Sequence, residues 1–577
     1  MQDKYQEAAI IHGEGPALVV AGPGSGKTFV LTHHIYHLLE TGVPPEKILV
    51  ITFTKQAALE MKSRFQKLNS NKSSKIVFGT FHSVFYKILS VFIEDTPHIV
   101  STDLRREILL ISCPDSTLCE EYSLKISFYK SLINKEKFIF ESKSEKETFE
   151  KVLKSYNAEL NRRNLWDFDD ILEKFYELLK NDKKALETIS KQFLYICIDE
   201  FQDINEIQYE AVKLIFKKNV FAVGDEDQSI YAFRGATGKI FTTFIEDYRD
   251  AVVYELVNNY RSKEGIIRAA ETVIKENPGR LKTNAQICIN KSDGKDFYLC
   301  EARDESEIKD LIRLDVNRLN ELKKSMAILV RTNRDVFEYR KIFSDGKAYL
   351  SAEKEIYKAV LSYYRYSVLR DRASLIEILN IPNRGIPESI LNMYGYDLQG
   401  LKKHFLGTYL GERLDALLQT VKAVSGLPIV SSNMFLRNAC GLEKFFIEKY
   451  GTENASAVRE AFDDIFKLSL SMDKERFLKT LSEKAFKNSS EEMINLNLII
   501  TTYHQSKGLE FDYVFLPDII EGKMPGVISL NACTIEEERR LLFVAMTRAR
   551  EKLVLYTIKS EGNSGAAPSR FIEVLVY

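Results

Sequence analysis

AGPGSGKT, Ala21 to Thr28, decides the fold. It follows the apolar run PALVV (16–20) and opens the helical pattern FVLTHHIYHLL (29–39). A strand, a glycine-rich loop and a helix in that order are what a phosphate-binding loop requires. Gly22, Gly24 and Gly26, with Pro23 and Ser25 between them, let backbone N–H groups curl around phosphate oxygens. Lys27 brings a charge to the β- and γ-phosphates, and the Thr28 hydroxyl is a ligand for Mg2+. The usual pattern begins with Gly where this chain has Ala21, but GKT and both flanks are in place.

Such a loop predicts an acid pair at the end of another strand. YICIDEFQD (195–203) supplies Asp199 for the metal and Glu200 as the base that activates water. Two arginines in the second half have settings from which they can reach phosphate: Arg261 in NNYRS and Arg548 in VAMTRAR.

Outward from these motifs, short apolar runs alternate with helical patterns in two regions. The first holds runs at 16–21, 47–53, 75–78, 193–198 and 219–223; the second holds 251–257, 326–330, 497–503, 513–517 and 552–556. Continuous Val/Ile/Leu runs followed by helices predict buried parallel strands. Long helical stretches, about 88–165 and 350–489, interrupt each region. The expectation is an α/β chain of two parallel-sheet cores, each carrying a mainly helical insertion. A length of 577 residues requires more than one core in any case.

Composition excludes several classes. No stretch of about 18 uncharged apolar residues is present, so a membrane span is not expected. The opening MQDKYQEAAI lacks the basic-then-apolar layout of a signal peptide. Seven scattered cysteines without C-x-x-C argue against zinc, iron–sulfur and disulfide frameworks. A cytoplasmic protein is expected. Net charge is −1, so no global basic field advertises nucleic acid, but residues 55–75 carry six cations against Glu60 alone. The segment GDEDQSIYAFRGA (224–236) packs acids, an amide, two aromatics and an arginine behind an apolar run.

Taken in order, the motifs carry a resemblance. YQEAAI (5–10), AGPGSGKT, TFTKQAALEMKSR (52–64), GTFHS (79–83), IDEFQD (198–203) and GDEDQSIYAFRGA are followed by NNYRS (258–262), AILVRTN (327–333) and IPNRGI (381–386). TTYHQSKGLEF (501–511), EEERRLLFVAMTRAR (536–550) and PSRFI (568–572) complete the set. The chain resembles the UvrD/PcrA/Rep group of superfamily 1A DNA helicases over nearly its whole length.

The resemblance implies two RecA-like P-loop motor domains, 1–87 with 166–255 and 256–349 with 490–577. The helical inserts would then span 88–165 and 350–489. ATP and Mg2+ would lie between the motors, with single-stranded DNA across their tops and movement 3′ to 5′. By motif, Gln6 resembles the adenine reader, Tyr260 the stacking aromatic and Glu510 the ribose contact. Gln228 resembles the γ-phosphate sensor, and Arg261 and Arg548 the paired arginine fingers. Phe53, Thr80, Phe81, His82 and His504 resemble DNA-contacting positions. In the 224–236 loop, Asp225 and Gln228 are expected on the phosphate side, with Tyr231 and Phe233 facing the strand. The basic segment 55–75 is expected near the DNA backbone.

Three departures stand out. Phe29 occupies a position where relatives carry an arginine, so a Phe29–Tyr260 sandwich on the adenine is expected. Phe233 replaces a tryptophan. Little chain follows PSRFI, and the second insert is short. The expected activity is that of an ATP-dependent 3′–5′ DNA helicase acting on single-stranded and 3′-tailed duplex DNA, with any protein loading partner unidentified. The alternative is a translocase that displaces bound proteins with little unwinding. A non-catalytic DNA-binding module is disfavoured by Lys27 and Glu200, and no nuclease motif is evident.

Overall fold

The computed structural model describes residues 3–575 except 69–74, 114–117, 232–238, 283, 293, 321–323, 344–346, 452–454, 486–496, 527–534 and 560–566. Phe233 falls outside the described residues.

Two parallel sheets organise the chain. The first has six strands in the order Val77–Gly79, Ile48–Ile51, Tyr195–Ile198, Val220–Gly224, Ala17–Ala21, Val252–Leu256. Its central strands are buried on both faces, which is why they read as unbroken apolar runs. Alternation then divides them between two cores. Leu18, Val20, Leu49 and Ile51 point to one, while Ala17, Val19, Ile48 and Val50 point to the other.

Val252–Leu256 corrects the expectation that placed it in the second sheet: it pairs with Ala17–Ala21 over the full five residues of each. The helix before it, Ile240–Asp247, packs Phe241 and Phe244 into the first core. Only four residues then separate helix and strand, so the chain returns to the sheet it left.

The second sheet runs Phe297–Ala302, Ala549–Ile558, Phe511–Leu516, Met326–Val330, Leu498–Thr502. Its edge strand Phe297–Ala302 escaped the reading of apolar runs because it is half-exposed and carries Glu301. Helices Thr102–Ser112, Cys119–Ser131 and Lys143–Arg162 share a separate small core around Ile126, Phe149 and Tyr156. Ten residues earlier, the helix Phe81–Phe92 still packs Leu89 on the core of the first sheet. The later helices from Lys347–Leu369 to Lys474–Ala485 build the largest core of the molecule. Among the described residues, no helix is long and apolar enough to cross a membrane.

Candidate functional site

The loops leaving the C-terminal ends of the first sheet's strands meet residues of the second half across a cavity of about 820 Å3. Ligands of open α/β sheets bind at such strand ends. Here Gly24 and Gly26 hold left-handed backbone at φ 66° and 86°. A side chain at Gly24 would run into Arg261, its Cβ lying 2.6 Å from that of the arginine, so only glycine admits the second half this close. Gly26 caps the helix Lys27–Glu40, and no side chain occupies its first N–H groups. That leaves an anion-binding helix end beside Lys27. Burial pulls the Lys27 ammonium below its ordinary range, against the pull of Glu200, Asp225 and Asp199.

The acid pair ends the strand Tyr195–Ile198. Burial and the Glu200 carboxylate beside it push Asp199 up to about 7. Burial also works against ionisation of Glu200, but Lys27, Lys507 and the Gln202 amide outweigh it and hold that carboxyl below its usual range. Glu200 therefore keeps its negative charge, while Asp199 holds its proton more tightly than an ordinary carboxyl. Thr28 and Asp199 line the same cavity. One hydroxyl and one carboxylate suit Mg2+, which keeps waters and phosphate oxygens for its remaining positions. No cluster of three or more His, Cys, Asp or Glu side chains able to hold a metal occurs among the described residues.

Gln228 is buried, its Nε2 donating to Asp225 Oδ2 at 2.6 Å. Gln202 ties this turn to the base: its amide donates to Glu200 at 2.5 Å and accepts the Asp225 N–H at 2.9 Å. Lys507 reaches in from the second half, 2.6 and 2.8 Å from the Asp203 carboxylate and 2.9 Å from the Gln228 carbonyl. Neither Gln202 nor Lys507 was singled out by motif reading. Each lay inside a quoted motif, and that was the only signal.

Arg261 and Arg548 line the cavity with Lys27 and Glu200. Arg261 Nε pairs with Glu510 at 2.6 Å, and Arg550 pairs with the same carboxylate. Arg548 is almost wholly buried and donates to the carbonyls of Val544 at 2.8 Å and Leu509 at 3.3 Å. Burial, with Arg261 nearby, pulls it down to about 9.

Gln6 does not line the cavity; it stands behind the loop and donates to the Ser25 carbonyl at 2.8 Å. The Tyr260 hydroxyl donates to Asp3 at 2.6 Å, and its N–H donates to the Gly24 carbonyl at 2.9 Å. Phe29 is 47% exposed and lays its ring on His33, with centroids 3.9 Å apart. Both aromatics of the expected adenine sandwich thus line the cavity, with Phe29 leaning on its own helix.

The DNA-side expectations divide. Phe53, Thr80, Phe81 and His82 line a second cavity, about 570 Å3, which shares Asp199 and Glu200 with the first. Thr80 caps the helix Phe81–Phe92, and Phe81 sits in the motor core against Phe85. His82 meets Phe168 edge-on at 5.5 Å. Tyr231 packs beside another expected DNA-contacting residue. It stacks on Phe53 at 5.1 Å, lies 4.8 Å below the Lys507 ammonium and lines the larger cavity, which Phe53 shares with the second. The Lys507 cation and the Phe53 face together hold it there. His504 sits in the turn after Leu498–Thr502, its carbonyl accepting the Lys507 N–H at 3.3 Å. In the basic segment, the helix Lys55–Leu68 buries Ala58, Met61 and Phe65, and Arg64 joins the cavity wall paired with Glu60.

Comparison with known proteins gives a consistent result. The model of the UvrD/REP helicase N-terminal domain matches residues 2–249. That of the UvrD-like helicase C-terminal domain matches 254–403 and 442–560. The ATP-dependent DNA helicase PcrA of Staphylococcus epidermidis is 31% identical, over 98% of this chain and 85% of that protein. PcrA of Staphylococcus aureus is likewise 31% identical, over 98% and 85%.

Proposed function

Because the chain belongs to the UvrD/REP family and is an ATP-dependent DNA helicase, we propose that it moves 3′ to 5′ along single-stranded DNA and opens 3′-tailed duplexes, with ATP and Mg2+ in the larger cavity. The observation that carries this reading is the meeting of Lys27 and Glu200 from the first half with Arg261 and Arg548 from the second around one cavity. A cavity built from both halves changes shape whenever the halves move, so hydrolysis and movement are mechanically linked.

Each side chain then has a task. Lys27 and the helix end behind it neutralise the β- and γ-phosphates. Thr28 and Asp199 would hold Mg2+, which when bound supplies further neutralisation of phosphate charge. Glu200 accepts the proton of the attacking water. Arg261 and Arg548 offset charge that builds on the transferring group, once Arg261 exchanges Glu510 for phosphate. Gln228 registers the presence of the terminal phosphate. Gln6, Phe29 and Tyr260 take the base and Glu510 the ribose. The cavity containing Phe53, Thr80 and His82 adjoins the acids and is the DNA side of the same machine, since stacking on aromatics grips any sequence.

ATP turnover measured with and without single-stranded DNA, beside unwinding of 3′-tailed and 5′-tailed duplexes, tests the reading. Stimulation by single strands and opening of the 3′-tailed substrate are expected. Opening of the 5′-tailed duplex alone would reverse the polarity. Translocation without strand separation would favour the protein-displacing alternative.

A further inference from the structure

The turn that carries Gln228 is gripped from outside its own sheet. Asp225, Glu226 and Asp227 follow the strand Val220–Gly224, and the side chains of Asp225 and Asp227 are 0% and 2% exposed. Buried carboxylates need partners. Theirs come from Arg280 and Lys282, on the chain that leaves the helix Glu264–Ile274, a helix whose Ile266, Ala270 and Val273 pack in the second half's core.

Lys282 pairs with Asp225 and lies 3.0 Å from Asp227. Arg280 holds Asp227 with two nitrogens, at 2.8 and 2.7 Å. The grip is returned, because Glu226 accepts the backbone N–H groups of Leu281 at 3.0 Å and Lys282 at 2.8 Å. Asp225 spends its other oxygen on Gln228 Nε2. A short buried chain of contacts therefore runs from the second half through Lys282 and Asp225 to the amide of Gln228.

We propose that Lys282 is a positioning residue for ATP turnover: it fixes the Asp225 carboxylate, which aims the Gln228 amide, and so ties that amide to the movement of the second half, with Arg280 as a second anchor. This rests on the reading of Gln228 as phosphate sensor. A carboxylate held on both oxygens cannot swing, and the amide bonded to it keeps one orientation while its second N–H remains for a phosphate oxygen. Without the Lys282 ammonium, the buried Asp225 carboxylate loses the only cation paired with it among the described residues and keeps two neutral donors, the Asp227 N–H at 3.1 Å and the amide it should be aiming. Neither Gln6 nor Tyr260 bonds to this chain of contacts, and Lys27 feels Lys282 only through its field, behind burial and the fields of Glu200 and Asp225, so turnover should fall while nucleotide affinity holds.

The test is a double-mutant cycle on DNA-stimulated ATP turnover, using the parent protein, Gln228→Ala, Lys282→Met and the pair. Lys282→Met should lower kcat at least about tenfold, with KM for ATP within about threefold of the parent. In the Gln228→Ala background the same substitution should cost less than about threefold more. Lys282→Arg, which keeps the cation, should return most of the turnover. A tenfold loss in both backgrounds would overturn the proposal, since Lys282 would then serve the turn without acting through Gln228. If Lys282→Met fails to fold, Lys282→Gln, which keeps a hydrogen-bond donor without the charge, takes its place in the cycle with the same expected and overturning outcomes. Parental turnover in Gln228→Ala alone would sink the sensor reading and the proposal with it, and is distinguishable because it appears before Lys282 is changed.

Discussion

Glu200 holds its backbone at φ 51°, a left-handed conformation that residues with side chains rarely adopt. The hydrogen bond from Gln202 and the fields of Lys27 and Lys507 act on its carboxylate there. Glu200→Gln keeps the shape and removes the proton acceptor, so turnover should drop by about 10²–10⁴-fold while a fluorescent ATP analogue still binds. Lys27→Ala should abolish turnover and weaken that binding as well, because the loop then offers phosphate only N–H groups. Phe29→Arg is a gentler test. The ring is half in solvent on His33, so no core is opened, and a cation facing the base should tighten nucleotide binding by up to about 1 kcal/mol in the same titration. Looser binding would mean that the His33 contact matters more. Lys27, Thr28, Asp199 and Glu200 could be proposed from local spacing, and Arg261 and Arg548 from their motif settings and the resemblance. Gln202, Lys282 and Lys507 could not, since each is defined by a buried charge or amide it meets across the fold, and no spacing records that.

At the scale of elements, the first turn of the helix Phe168–Asn181 concentrates charge. Asp167 caps it, and Asp169 and Asp170 follow, facing Lys130 and Arg105 from the first insert. Three carboxylates against two cations leave one negative charge over. Burial and the Asp167 charge push Asp169 up to about 6, and Asp170 likewise. A folded-state value above the unfolded one means that the folded protein holds the proton more tightly between about pH 4 and 6. Stability from this group is therefore complete at low pH and lost as pH rises through 6. Asp169→Asn should remove that loss. Its carbonyl still accepts from Ser127, which is 2.7 Å from the carboxylate now, and Arg105 is already 4.0 Å away. The unfolding midpoint should rise by the equivalent of at most about 3 kcal/mol at pH 8 and stay unchanged near pH 3. A fall at pH 8 would mean that the Arg105 attraction outweighs burial. The strands also show what pattern can reveal at this scale. Interior strands such as Met326–Val330 announce themselves by unbroken apolar runs, whereas the edge strand Phe297–Ala302 mixes Cys and Glu because one side of it meets water.

The whole molecule depends on how its halves meet, and Lys507 is one of the buried charges in that meeting. Its side chain is 9% exposed, and its partner Asp203 on the first half is wholly buried. The same ammonium touches the Gln228 carbonyl and lies over Tyr231, while Ile230 beside that ring packs in the second half's core. Structural and coupling roles can be separated by restoring the charge balance without the cation. Lys507→Met alone leaves Asp203 buried and unpaired, which should cost about 3 kcal/mol in denaturant unfolding. Adding Asp203→Asn removes the stranded charge and should recover most of that loss. It does not return a cation to Gln228 or to Tyr231, so DNA-stimulated turnover should stay low in the double variant although the protein is again stable. Recovery of stability and turnover together would make the pair a structural tie alone, leaving the Arg280–Lys282 grip as the route by which the second half reaches Gln228.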